Sequence, residues 1–183
     1  LPILTETSCA DPPCGCRFVA RFPDSSAATT LTARWRAGPL VPVAVTSADS
    51  SDDLIEDICI ENNFKCYRGS LDNVLDRYIC AANFHEVETI IRIGGDDPLV
   101  DADQIGPLIS EYEEKGADFL FTSHKNGWPL GSAVELISVK AIKEIAENTS
   151  NPLYLEHIIP WFHNNRDDYK YFPFKSPPDL YRP

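Results

Sequence analysis

Apolar residues along this chain gather into short continuous runs, separated by stretches in which they recur every three or four positions. The runs CRFVARF (16–22), VPVAVTS (41–47), FKCYRG (64–69), ETIIRIG (88–94) and DFLFTS (118–123) read as buried strands. Strands are therefore expected near 17–22, 41–46, 65–67, 89–94 and 118–122. Between them, LIEDICIENN places Leu54, Ile55, Ile58 and Cys59 on one helical face. SLDNVLDRYICAANF reads as a helix capped by Ser70, and DADQIGPLISEYEEKG as one ending at Gly116. Helices should begin near Ser51, Leu71 and Asp103. GSAVELIS, the helical SVKAIKEIAENT, the segment PLYLEHIIPWFHNN and YKYFPF follow, before Pro177 and Pro178 loosen the C-terminus.

Strands that alternate with helices predict an α/β sandwich around a mainly parallel sheet. At 183 residues the chain suits one domain over 17–183, preceded by an irregular Pro- and Cys-rich segment over 1–16. Ligands in such sheets collect at the carboxyl ends of the strands. That is where RIGGDDP places Gly94, Gly95, Asp96 and Asp97. Glycine lets a backbone approach a ligand closely, and adjacent carboxylates suit a hard divalent cation such as Mg²⁺. The competing role for the aspartates is to cap the turn before Pro98.

Composition narrows the partners. Sixteen Lys plus Arg against 28 Asp plus Glu give a net charge of -12, which repels nucleic acid and anionic membranes. No apolar run approaches the ~20 residues of a membrane span. A nucleotide can still bind where glycines, helix N-termini and a metal ion overcome the global charge. Cys59, Cys66 and Cys80 lie singly in segments that read as core, so reduced thiols are expected. Cys9, Cys14 and Cys16 cluster, but CGC lacks the usual CxxC spacing of a metal or redox pair. With no methionine and Leu1 at its head, the sequence reads as a processed product or a fragment, and LPILTETSCADPPC lacks the basic and apolar regions of a signal peptide.

The pieces TSADSSDDLIEDIC, FKCYRGSLDNVLDRYICAA and IIRIGGDDPLVDADQI, and less specifically PLGSAVELIS and YLEHIIPWF, resemble the spore-coat polysaccharide cytidylyltransferases, relatives of the CMP-sugar synthetases. The resemblance implies a Rossmann-like, GT-A-type nucleotidyltransferase sandwich. It also implies a cytoplasmic enzyme in which a sugar oxygen attacks the α-phosphate of CTP with Mg²⁺ as cofactor; a homodimer is one possible assembly. Position by position, it implies that Arg21 helps hold the triphosphate and that Asp96, with Asp97, binds metal. It places Asp72, Arg77 and Gly95 near the nucleotide, and Glu135, Glu156 and His157 near the sugar. Each also has a bland role: Arg77 as a solvated helix residue, Glu135 as the partner of a nearby cation, His157 as a hydrogen-bonded structural histidine.

Several positions depart from the family pattern. Ser26 and Thr30 stand where the phosphate loop has an arginine and a lysine. Leu130 and Ala133 stand where the sugar site has an arginine and an aspartate, and Lys175 replaces a second metal aspartate. The expectation is a cytidylyltransferase-like protein with impaired or altered activity. The alternatives are a catalytically inactive binding or scaffold domain and, more weakly, a GT-A glycosyltransferase, although GDDP is not that class's separated Asp-x-Asp.

Overall fold

The structure, a computed structural model, describes residues 18–19, 34–35, 38–40 and 42–178. Arg21, Ser26, Thr30, Cys9, Cys14, Cys16 and the segment 1–16 lie outside the described residues. The strands are β1 (Phe18–Val19), β2 (Arg34–Trp35), β3 (Gly38–Pro39), β4 (Val43–Ser47), β5 (Lys65–Gly69), β6 (Thr89–Arg92), β7 (Phe119–Phe121), β8 (Glu135–Ser138) and β9 (Tyr171–Pro173). The helices are α1 (Asp53–Glu61), α2 (Val74–Phe84), α3 (Ile105–Lys115), α4 (Val139–Asn148), α5 (Pro152–Glu156) and α6 (Ile158–Asn164). The α/β order follows the apolar runs.

The expected mainly parallel sheet needs correction, because the described strands form mixed sheets of order β1-β5-β4 and β6-β8-β7-β9 beside a β2-β3 pair. β4 pairs parallel with β5, and β7 with β9. β1 runs antiparallel to β5, β2 to β3, and β8 to both β6 and β7. The cause is local. GSAVELIS, whose pattern decides neither helix nor strand, is reached from β7 through a turn at His124–Asn126 without an α-helical crossover. The chain therefore reverses and lies antiparallel between β6 and β7.

Side-chain hydrogen bonds set the approach to α1 and the start of α2. A 3-10 turn over Ser50–Asp52 leads into α1, with the Asp49 carboxylate accepting from the Ser51 N–H at 2.9 Å. α2 starts later than expected. Ser70 Oγ accepts from the Asn73 N–H at 3.0 Å and fixes the turn, and Asn73 Oδ1 is the cap, accepting from the Asp76 N–H at 2.9 Å. α3 ends at Gly116 with φ of 54°, a left-handed stop that glycine adopts without strain. α1 keeps its helical rhythm, yet of the four apolar positions on its expected face only Cys59 is buried, while Leu54, Ile55 and Ile58 are exposed.

The core lies on both faces of the β6-β8-β7-β9 sheet. On one face Phe119, Phe121 and Ile137 meet Leu75 of α2, Ile142 and Ile145 of α4 and Phe162 of α6. On the other, Leu120 and Leu136 meet Leu108, Ile109 and Tyr112 of α3. The alternation Phe119-Leu120-Phe121 is the period of two of a strand packed on both sides. Phe119 stacks on Phe162 with centroids 4.4 Å apart. Burying a side chain of this size contributes roughly 1.5–3 kcal/mol. Cys59, Cys66 and Cys80 form no disulfide among the described residues, and burial pushes the Cys66 thiol up to about 12.

Candidate functional site

The glycine pair after β6 forms a cradle for its own aspartates. Asp97 N–H donates to Gly94 O at 3.1 Å, closing a tight turn. A Cβ added at Gly94 would lie 2.5 Å from Asp96 Oδ1 and 2.8 Å from Asp97 Oδ2, whereas one at Gly95 would meet nothing within 4 Å. Both carboxylates thus fold back over the same point, and only glycine leaves them room. The loop is anchored to the approach to β8: Ala133 N–H donates to Asp97 Oδ1 at 3.1 Å, and Leu99 N–H to Gly131 O at 2.8 Å.

Beside this turn a charge pair spans two strands. Arg92 and Glu135 are register partners across β6 and β8, and Arg92 Nη1 donates to Glu135 Oε2 at 2.9 Å. Glu135 is buried, and burial raises its pKa; Arg92 opposes the rise, while Asp97 and Asp96 add to it. Burial would lower the pKa of Arg92, but Glu135 and Tyr78 outweigh it and raise the value. Glu135 therefore does pair with a cation, within electrostatic reach of the two aspartates.

The pair lies between two clefts. One, of 230 Å³, is walled by Asp97, Glu135, Phe121, Trp128 and His163, with Leu130 and Ala133 also on its lining. The other, of 180 Å³, brings Arg92 to Val74 at the start of α2 and to Glu156 and His157 between α5 and α6. Glu156 Oε1 and His157 Nε2 are 3.9 Å apart and both largely exposed. Asp72 is exposed just before α2, and Arg77 lies across Gly69 at the end of β5. Arg77 Nη1 donates to Ser70 O at 3.1 Å, but its Nε is buried without a partner. Arg77 is thus more than a solvated helix residue.

The structure brings together Asp96, Asp97 and Glu135, and separately Glu156 and His157, with Arg92 reaching both groups. Sequence reasoning missed Arg92 and His163. A charged residue inside the apolar run ETIIRIG was the available signal for Arg92; its partner depends on β8, which the sequence pattern left undecided. His163 sits on α6 in a segment given no assignment. Among the described residues no group of three or more His, Cys, Asp or Glu is placed to hold a metal ion. The cradle offers two carboxylates, which fits Mg²⁺ sharing its coordination with phosphate oxygens and water, and does not fit a closed protein cage.

Comparison with known proteins places this site in a family. Residues 40–182 match the cytidylyltransferase family, so Arg21, Ser26 and Thr30 lie outside the matched region. Over 141 residues the chain is 28% identical to the spore coat polysaccharide biosynthesis protein SpsF of Bacillus subtilis, covering 76% of this chain and 57% of that protein. An uncharacterised protein of Methanocaldococcus jannaschii is 30% identical over 140 residues, covering 76% and 56%. The chain thus spans little more than half the length of these relatives. A cytidylyltransferase from Leptospira borgpetersenii superposes with a TM-score of 0.69 at 25% identity, covering 73% of this chain and 57% of that one. A CMP:2-keto-3-deoxy-manno-octonic acid synthetase complexed with CTP shares the fold, with a TM-score of 0.53 at 12% identity over 76% and 74%. Sequence and fold agree, and the chain belongs to the cytidylyltransferase family.

Proposed function

We propose that this chain transfers CMP from CTP to a sugar for surface polysaccharide synthesis, on a GT-A-type scaffold and with weakened turnover. The observation that carries the reading is the Gly94 cradle, which holds Asp96 and Asp97 together beside the Arg92–Glu135 pair. In the transfer, a sugar oxygen bonds to the α-phosphorus as the α–β phosphoanhydride breaks. Pyrophosphate leaves with the bonding electrons, and the hydroxyl proton is released. Asp96 and Asp97 would hold Mg²⁺, which when bound neutralises phosphate charge. Arg77 and Asp72 would orient the nucleotide, while Glu135, Glu156 and His157 would line the approach of the sugar, so positioning is the protein's main contribution.

Weakened turnover follows from the phosphate side. Lys175 is exposed where the resemblance expects a carboxylate, and Thr30 stands in place of a lysine. Losing a positioned charge of this kind costs about 3–4 kcal/mol of barrier in comparable sites. Calorimetric titration of CTP with and without Mg²⁺, followed by a pyrophosphate-release assay over a sugar panel, tests the reading. Mg²⁺-dependent CTP binding with slow release is expected. Binding without any release would favour a silent binding domain, and no CTP binding would overturn the proposal. No helix among the described residues is long and apolar enough to cross a membrane; a cytoplasmic site of action belongs to the same proposal.

A further inference from the structure

One side of α1 is fastened to the sheet. Cys59 is buried, and Glu56 Oε2 accepts from Arg68 Nη1 at 2.6 Å. Arg68 is itself buried, and it also donates to Asp53 Oδ1 at 2.6 Å, to Ser47 O at 2.8 Å and to Asp49 O at 2.6 Å. Hydrogen bonds from a charged donor are the stronger kind. A helix held by such bonds presents its other side as a fixed surface.

That surface is apolar. Leu54 is 67% exposed, Ile58 49% and Ile55 42%. Leu54 and Ile58 stand four positions apart and so form one row along the helix, with Ile55 as its shoulder toward the buried Cys59. The outward face of a surface helix is ordinarily polar, and a contiguous apolar patch there marks an interaction site. A second row runs beside the first: Asp57 and Glu61, also four apart and both exposed. α1 carries no Lys or Arg.

We propose that this face of α1 docks an amphipathic helical segment of another protein, one whose apolar stripe is flanked by Lys or Arg. Leu54, Ile55 and Ile58 cover the stripe, and Asp57 and Glu61 meet the flanking cations, which fixes the orientation of the partner. A second copy of this chain is the poorer occupant. It brings the same acids and no cation on α1, in a chain of net charge -12. A helix of nine residues, about 14 Å long, also covers far less than the roughly 800 Å² per partner of a stable interface. An anionic membrane is repelled by the same carboxylates. A contact of this size suits a transient partner. The inference is independent of the transferase reading, because Leu54, Ile55 and Ile58 line neither cleft.

Fluorescence anisotropy on the full chain tests this with two labelled synthetic amphipathic helices that share one leucine stripe, flanked by Lys in one and by Glu in the other. The Lys-flanked helix should bind, less tightly as salt rises, and the Glu-flanked one should not. Because the whole chain is acidic, variants decide whether binding is at α1. Leu54→Gln and Ile58→Gln should each weaken it about ten-fold, the worth of burying one aliphatic side chain. Asp57→Asn with Glu61→Gln should weaken it about three-fold. All should melt like the unmodified chain, since these side chains face outward. Equal binding of the two helices, no binding of the Lys-flanked one, or unchanged binding in both apolar variants would each overturn the inference. Sedimentation of the chain alone and with phosphatidylserine vesicles completes the test. A dimer abolished by Ile58→Gln would give the face to a second copy, and vesicle binding abolished by Leu54→Gln would give it to a membrane; either overturns the proposal, and a monomer that ignores the vesicles supports it.

Discussion

Arg92 and Glu135 face each other across β6 and β8 at 2.9 Å, with the carboxylate buried and the guanidinium part-exposed. The pair is a structural clamp as well as a wall between two clefts. Arg92→Ala would strand a buried carboxylate, at a cost of about 2–4 kcal/mol in urea unfolding. The double change Arg92→Met with Glu135→Leu should recover most of that loss. The pH dependence has a defined sign. The folded pKa of Glu135 lies above 4.5, so its contribution is fully present below that pH and is lost as pH rises through the raised value. The deficit of Arg92→Ala should therefore grow with pH above 4.5, and a flat profile would contradict the assignment.

Gly94 and Gly95 are neighbours with opposite demands. A methyl at Gly94 would meet the Asp96 and Asp97 carboxylates, while one at Gly95 enters open space. Gly94→Ala should displace both carboxylates and reduce Mg²⁺-dependent CTP binding by about ten-fold or more, which is 1.4 kcal/mol or more. Gly95→Ala should bind like the unmodified protein. Equal losses in the two variants, measured by calorimetry, would mean that the loop matters for its flexibility and not for the cradle.

Asp52 reports on the end of β4. Its Oδ2 accepts from Ser47 Oγ and Thr46 Oγ1, each at 2.6 Å, and from the Ser47 N–H at 2.9 Å. Those bonds, the Ser47 hydroxyl first, lower its pKa from 3.8 to about 2. A depressed folded pKa gives stability that is present above pH 3.8 and lost as pH falls toward 2. Asp52→Asn should thus be destabilised by about 1 kcal/mol near neutrality, a figure discounted because the carboxylate is largely solvated. The gap between the two urea midpoints should close between pH 4 and pH 2.

Strand positions were legible because continuous apolar runs such as TIIR and FLF have no other stable use in a short segment. The acid cradle was legible for the same reason: Gly-Gly-Asp-Asp directly follows one such run. Direction was not. Whether β8 lies parallel or antiparallel depends on the path from Phe121 to Glu135, and that stretch, broken by Gly127, Pro129 and Gly131, encodes no crossover helix. The Arg92–Glu135 pair spans 43 positions and exists only once that register is set. α1 shows the converse: its periodicity is helical, but periodicity alone does not say that Leu54 and Ile58 will be covered.

The remaining prediction addresses the phosphate side. Thr30 and Lys175 stand where the resemblance expects a lysine and an aspartate, so the proposed phosphate site would lack one cation and carry an ammonium in place of one metal carboxylate. Lys175 is exposed; its neighbour Ser176 donates its N–H to Asn126 O at 3.0 Å, on the turn whose His124 lines the larger cleft. A change at 175 therefore acts at the surface and should leave the core intact. Installing Thr30→Lys and Lys175→Asp together should raise CTP affinity or turnover by more than the combined single effects, because the resemblance assigns both positions to one metal and phosphate cluster and coupled neighbours are not additive. Strictly additive or null effects would place at least one of the two outside that cluster. If the unmodified chain already releases pyrophosphate from CTP at the ~1–10³ s⁻¹ common to enzymes, weakened turnover is wrong and the phosphate contacts have been rebuilt from other residues.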